Sequence, residues 1–457
     1  MKINWFSPLP PAMTEIASYT VRILPALQER AEVILWTDQT GWDPNLEKTA
    51  TVRYYKPDRV PWDDLNRGDL TIFNIGNNHL FHGAIWQVSR RHPGIVILHD
   101  LSLQHFFIGV YMKQLKDRNG YLEKMAFYYG QQGRDYAAMA WDGRLTPDEV
   151  AEKFPLTPLA LEQATGVIVH TPNAFQNLKC ENRWPVCYAP LPYAASHMPV
   201  GDAPKPVKLK APGPPYNLIV FGYIGSNRRL NALLQALANF KERDKFRLSI
   251  YGELENKCHI RIRSLISSLG LKNLIRIHGF VPEAELDSAL SSAHMAVNLR
   301  YPTMGEASGS QLRIWYHALP SLVSKVGWYA DIPEEAVVFV RPENEIEDIQ
   351  EHLRAFLENP GRFAKMGEAG RRILKEHHDP GAYAQAIIGF SKEVCGFHPP
   401  AIANYLTARC AAEMAVWSRT AILDIAISKA AKEIMKLCNI CNSSGQSGDR
   451  GCSGKKG

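Results

Sequence analysis

The sequence predicts an α/β protein built of two doubly wound parallel-sheet domains in tandem, and three observations carry that prediction. Short apolar runs with little alternation recur along the chain, which marks strands buried on both faces. Segments of helical period separate them, as crossovers between parallel strands require. The chain of 457 residues exceeds what one core ordinarily organises, and its composition breaks once near the middle.

The first unit begins as strand, loop, helix and strand: "KINWF", the Pro-rich "SPLPPAM", "SYTVRILPALQER" and "AEVILWTD". The pattern continues through "DLTIFNIGN", "HGAIWQVSRRHP" and "GIVILHD", then "ATGVIVHTP" with "NAFQNLK", and "WPVCYAPLPY". Residues 1–200 are therefore read as one domain, and the aperiodic, Pro- and Lys-rich 201–215 as a linker. Alternation restarts with "YNLIVFGYI", "RLNALLQALANFKER", "FRLSIYGE", "IRIRSLISSLG", "LIRIHGF", "EAELDSALSSA", "HMAVNLR" and "SQLRIWYHA", which makes 216–380 a second domain. Residues 381–440 read as helices packing back on the domains, with a membrane-surface helix as the sharper alternative. The small, polar 441–457 reads as a disordered tail.

Composition removes several classes of function. Hydrophobic residues are 46% and charged residues 21%, ordinary for a soluble globular chain, and the net charge of +6 suits an anionic small ligand or an anionic surface. No basic tract with interleaved aromatics is present, so nucleic acid is not an expected partner. No run reaches about 18 apolar residues and "MKINWFSPLPPAM" lacks an apolar signal core, so a cytoplasmic location is expected. Eight scattered cysteines fit reduced thiols, and the lone C-x-x-C at Cys438 and Cys441 lacks a second ligand pair for zinc. Neither H-E-x-x-H nor a D-x-D clamp occurs, so no metal is expected. A nicotinamide cofactor is also not expected, because "SPLPPAM" stands where a first G-x-G-x-x-G would.

On open parallel sheets, ligands bind beyond the carboxyl ends of strands, and the unusual residues of this chain fall there. In the second domain, "VFGYIGSNRR" places Gly222 and Gly225 before Arg228 and Arg229 at a helix start, a pattern suited to phosphate. "IYGELE" brings Gly252 and Glu253, and "RIHGFVP" brings Gly279 and Phe280. "NLRYPTMGEASGSQLRIW" sets Gly305, Ser308, Gly309, Ser310 and Gln311 at another helix start, where amides meet an anion. Glu306 in that turn would be repelled by phosphate, so its fitting partner is a neutral polyol. In the first domain, Thr14, Asn77, His82, His99, Asp100 and His105 lie at or just after strand ends.

These segments, taken in order, resemble the retaining GT-B-fold glycosyltransferases of family four. The carriers are "PLPPAMTEIASYT", "IGNNHLFH", "PGIVILHD", "VIVHTP", "FGYIGSNRRL", "IYGE", "HGFV" and "LRYPTMGEASGS" followed by "LPSLVSKVGWYADIP". The resemblance implies two Rossmann-like domains facing across a cleft, with a nucleotide-diphosphate sugar held by the second and a saccharide or lipid-linked acceptor by the first. It implies catalytic roles for Glu306, Arg228 and His99. Donor contacts are implied at Gly222, Gly225, Arg229, Glu253, Gly279, Phe280, Gly305, Ser308, Gly309, Ser310 and Gln311. Thr14, Asn77, His82 and Asp100 then fall on the acceptor side. The family's second glutamate, eight places after the first, is Ile314 here, which leaves ribose recognition to another residue, with Gln311 as the candidate. The implied chemistry is sugar transfer with retention and without metal, in polysaccharide or glycolipid synthesis, with possible contact at the inner membrane face. A nucleotide-sugar epimerase or a non-catalytic nucleotide-sugar-binding relative fits the same architecture.

Overall fold

The chain alternates strands and helices through two sheets, and every strand pair is parallel. The computed structural model describes residues 1–194, 213–254 and 256–395. Most of the expected linker, the helical reading beyond 395, the tail and Cys438 and Cys441 lie outside the described residues.

The first sheet contains β1 (Lys2–Phe6), β2 (Glu32–Thr37), β3 (Thr51–Tyr54), β4 (Leu70–Ile75), β5 (Gly94–Leu98), β6 (Ala164–Val169) and β7 (Val186–Tyr188), in the order β3-β2-β1-β4-β5-β6-β7. The second contains β8 (Tyr216–Phe221), β9 (Phe246–Tyr251), β10 (Ile275–Gly279), β11 (Met295–Asn298), β12 (Ser321–Ser324) and β13 (Val338–Val340), in the order β10-β9-β8-β11-β12-β13. Strand order reverses beside β1 and beside β8, and a crevice opens at each reversal where successive connections leave on opposite faces. Burial on both faces explains the continuous apolar strands: all six residues of β4 are buried, Asn74 among them.

Local signals set the helices that bound the crevices. Thr14 accepts from the Ile16 amide at 3.4 Å and caps the helix Glu15–Gln28. Ser308 accepts from the Gln311 amide at 3.1 Å and caps Gly309–Tyr316. Between β5 and β6 the chain inserts a helical subassembly, Gln104–Gly109, Arg118–Trp141, Pro147–Lys153 and Thr157–Ala160. Its longest member, Arg118–Trp141, breaks at Gly130, where φ is +66°.

The two halves share an apolar cluster. It joins Trp5, Tyr19 and Ile23 of the first to Leu312, Trp315 and Trp328 of the second. Tyr383, Ile387 and Phe390 belong to it as well. These last residues lie on the helix Pro380–Cys395, which returns to pack on Glu15–Gln28 and β6.

Candidate functional site

Three strand-end turns of the second sheet are laced together by main-chain bonds. The Gly222 amide donates to Tyr251 at 3.1 Å, the Gly252 amide to Gly279 at 2.6 Å, and the Ile224 amide to Glu253 at 2.9 Å. A Cβ at Gly252 would stand 1.9 Å from the Gly222 carbonyl oxygen, so only glycine permits this approach. Beside these turns Phe280 and Tyr223 stay open to solvent, with 68% and 62% of their surface exposed, and the Glu253 side chain is exposed too.

Arg228 sits at the end of the short turn Ser226–Arg228 and points back under this edge. Its guanidinium donates to Asn298 Oδ1 at 2.7 Å, Ser310 Oγ at 3.3 Å and the Tyr223 carbonyl at 3.3 Å. All three partners are neutral, and among the described residues no carboxylate lies within ion-pair distance of it. Burial, followed by the neighbouring Arg300 cation, holds the Arg228 guanidinium down at about 9. An arginine so placed is a buried charge short of an anion. Gly222, at φ +103°, leaves the space: a Cβ there would be 2.8 Å from Arg228 Nη2.

The loop after β11 supplies the opposite charge. Glu306 Oε2 accepts from Thr303 Oγ1 at 2.8 Å and from the Met304 amide at 2.7 Å, while Arg300 Nε stands 3.5 Å from its Oε1. The carboxylate therefore braces its own loop and keeps 17% of its side chain exposed. That loop meets the first half directly: Ser102 donates to the Met304 carbonyl at 2.8 Å, and Thr171 Oγ1 to the Gly305 carbonyl at 3.3 Å. A Cβ at Gly305 would lie 2.6 Å from Leu101 Cβ. Gly309 faces Glu15 of the first half, whose Oε1 is 2.7 Å from where a Gly309 Cβ would stand.

On the first-half side, Asp100 Oδ2 accepts from the Asn77 amide at 2.7 Å. Burial, and then Glu306 across the gap, push its carboxyl up to about 7. Asn77 Oδ1 accepts from the Phe106 amide at 3.0 Å, and His105 Nε2 lies 3.0 Å from Asp148. His99 is buried, with Nε2 on Asn74 Oδ1 at 3.0 Å and its ring 5.0 Å from both Tyr19 and His170. Burial, then His170 and His82, keep its imidazolium well below the usual histidine range.

Three expected roles are corrected. Arg229 turns away from the glycine edge and forms a two-pronged pair with buried Glu345, at 2.7 Å from both Nε and Nη2, so its charge is already matched. Gln311 is fully buried, with its oxygen taken by Asn298 at 3.0 Å and its nitrogen by Ser321 at 2.8 Å, and cannot reach a ribose. His82 is buried with Nδ1 on the Asn74 carbonyl at 3.0 Å, and burial depresses it to about 4. Thr14 and Ser308 serve as helix caps, and Ile314 packs with Ile219, Phe221 and Leu290. Gly225 opens the Arg228 turn.

Asn298, Arg300 and Asn74 are polar groups of this region that the site assignment by motif omitted. The signal for two of them was an amide closing or interrupting an apolar strand, "MAVN" and "LTIFNI". Among the described residues no three His, Cys, Asp or Glu side chains gather as metal ligands, and no helix is long and apolar enough to cross a membrane.

Residues 203–373, a stretch that takes in the second sheet, match the family model described as Glycosyl transferases group 1. Solved structures resemble the whole arrangement. HepE of Anabaena, in complex with UDP, has a TM-score of 0.55 at 13% identity, covering 86% of this chain and 100% of that one. Sucrose-phosphate synthase of Thermosynechococcus elongatus has 0.57 at 17%, covering 86% and 99%. A glycosyltransferase of Rickettsia africae has 0.60 at 12%, covering 86% and 98%. At these identities the likeness shows the fold, the two-domain GT-B arrangement with its returning C-terminal helix. No curated protein matches the sequence.

Proposed function

We propose that the protein is a retaining, metal-independent glycosyltransferase that moves a sugar from a nucleoside-diphosphate sugar to a saccharide or lipid-linked acceptor. The observation that carries this reading is Arg228, a buried guanidinium bonded only to neutral groups at the glycine-lined end of the second sheet. A diphosphate supplies the missing anion. The helix starting at Gly309 points its free amides at the same place, with Ser310 Oγ already on Arg228. HepE, a protein of the same fold, binds UDP and UDP-glucose, which supports a uridine donor.

In this reading Arg228 and the amides stabilise charge gathering on the departing diphosphate, work that otherwise falls to a metal ion. Glu306, fixed by Thr303 and Met304, meets the sugar with its remaining lone pairs. With no dedicated base assigned, a leaving phosphate oxygen takes the acceptor proton on the face it departs from, which gives retention. Asn77 and Asp100 face the acceptor from the first half. The acceptor class places the enzyme in polysaccharide or glycolipid synthesis, in the cytoplasm or at the inner membrane face.

The test is a panel of nucleotide sugars read by nucleotide release, with and without saccharide acceptors. One donor is turned over with net retention in EDTA, and Glu306→Gln lowers that rate on the order of 100-fold to 1000-fold while melting normally. Release that requires added metal, or inverted product, overturns the mechanism.

A further inference from the structure

Asn74 interrupts the apolar run of β4 and is fully buried. A buried amide must place both its ends, and the partners here leave one orientation. Nδ2 lies 3.0 Å from the Phe6 carbonyl, which can only accept, so the NH2 end faces Phe6. Oδ1 therefore faces His99 Nε2 at 3.0 Å, and an amide oxygen only accepts, so Nε2 carries hydrogen. Burial disfavours the imidazolium, and in the neutral ring Nδ1 is a lone-pair acceptor for which the described residues supply no hydrogen-bond partner. The rings packed on it are Tyr19 of the first helix and His170 after β6, His82 acts on it through its charge, and none of the three is an anion that would favour imidazolium. The Asn74 carbonyl also accepts from His82 Nδ1 at 3.0 Å, so one residue orients two histidines beneath the crevice.

We propose that Asn74 is a positioning residue for His99: it holds the hydrogen on Nε2, so that Nδ1 accepts a hydrogen bond from a hydroxyl of the donor sugar. The proposal rests on the nucleotide-sugar reading above. It adds a requirement that reading does not make, a sugar that donates a hydrogen at this point, so that deoxy and O-methyl analogues are rejected there.

The direct test needs no variant. The full chain is labelled with 15N-histidine and the ring nitrogens are followed by multiple-bond proton–nitrogen correlation, with His99→Gln used to assign the signal. The expected spectrum shows a neutral, Nε2-protonated His99 from pH 6 to 8, with Nδ1 as the nitrogen that shifts when the turned-over donor binds. A hydrogen on Nδ1, or an imidazolium at pH 7, overturns the proposal. Donor binding that leaves Nδ1 unmoved also overturns it while the proposed function stands, and failure of every nucleotide sugar to bind overturns both. A second arm separates positioning from packing. In Asn74→Asp the carboxylate favours imidazolium, so Nδ1 becomes a donor as pH falls. kcat/KM then drops about tenfold per pH unit below the raised His99 value, an acid limb absent from the wild type. A folded Asn74→Asp protein with the wild-type pH profile refutes the role.

Discussion

Replacing Arg228 by Met should make the empty protein more stable and the enzyme inactive, and the size of the gain follows from its surroundings. Burial and Arg300 lower the guanidinium from its ordinary value to about 9, more than three decades of proton affinity. At about 1.4 kcal/mol per decade, keeping the charge there costs about 5 kcal/mol. A lowered cation is protonated in both folded and unfolded chains at neutral pH, so the whole cost is felt there. Three hydrogen bonds to neutral partners return about 1 kcal/mol each. The Met variant therefore gains about 2 kcal/mol, less whatever the stranded Asn298 oxygen loses. The assay is denaturant unfolding at pH 7 with and without excess UDP. Wild type is stabilised by the nucleotide and the variant is not, while its empty-state midpoint is higher. A variant destabilised by 2 kcal/mol or more, or one still stabilised by UDP, refutes the idea of a charge held in want of an anion.

The neighbouring arginine should behave in the opposite way. Arg229→Met strands buried Glu345 and costs about 2 kcal/mol, discounted for the partly exposed guanidinium, with nucleotide affinity unchanged by calorimetry. Asp100→Asn should flatten a pH dependence. The Asp100 carboxyl is raised, so its contribution is full at acid pH and lost as pH climbs from about 4 through about 7. The variant should outlast the wild type in urea at pH 8, and that advantage should shrink as pH falls below about 7 and vanish only near pH 4. Gly222→Ala forces an L residue into φ +103° and crowds Arg228 Nη2, costing about 1–3 kcal/mol in melting together with most of the UDP affinity.

The two doubly wound units were legible because strands such as "GIVIL" and "LIVF" are apolar throughout, which only a sheet covered on both sides explains. The glycine edge was legible because Gly222, Gly252 and Gly279 each close a strand and adopt positive φ. The insertion before β6 was not read, since its longest helix is half exposed and broken at Gly130, although Thr146 and Glu149 spell a capping box. Arg229 and Gln311 show the limit of motif transfer. Adjacent arginines look alike on paper, and only the fold brings Glu345 to one and leaves the other without a carboxylate. The same holds for Asp100 and Glu306, which lie 206 positions apart and influence each other across the gap.

The helix Pro380–Cys395 has a bearing on how the molecule is made. It fills the first sheet where Gly166 leaves room, with Val394 and Phe390 2.7 and 2.9 Å from the missing Cβ, and Tyr383 shares a 2.7 Å hydroxyl contact with Tyr19. Translation delivers the first sheet before this cover, with the whole second sheet synthesised between them. The earliest-born sheet thus waits with a greasy trough open for some two hundred residues of synthesis. An amino-terminal fragment stopping before Tyr216 would keep that trough for good, and chaperones holding nascent chains would find it there.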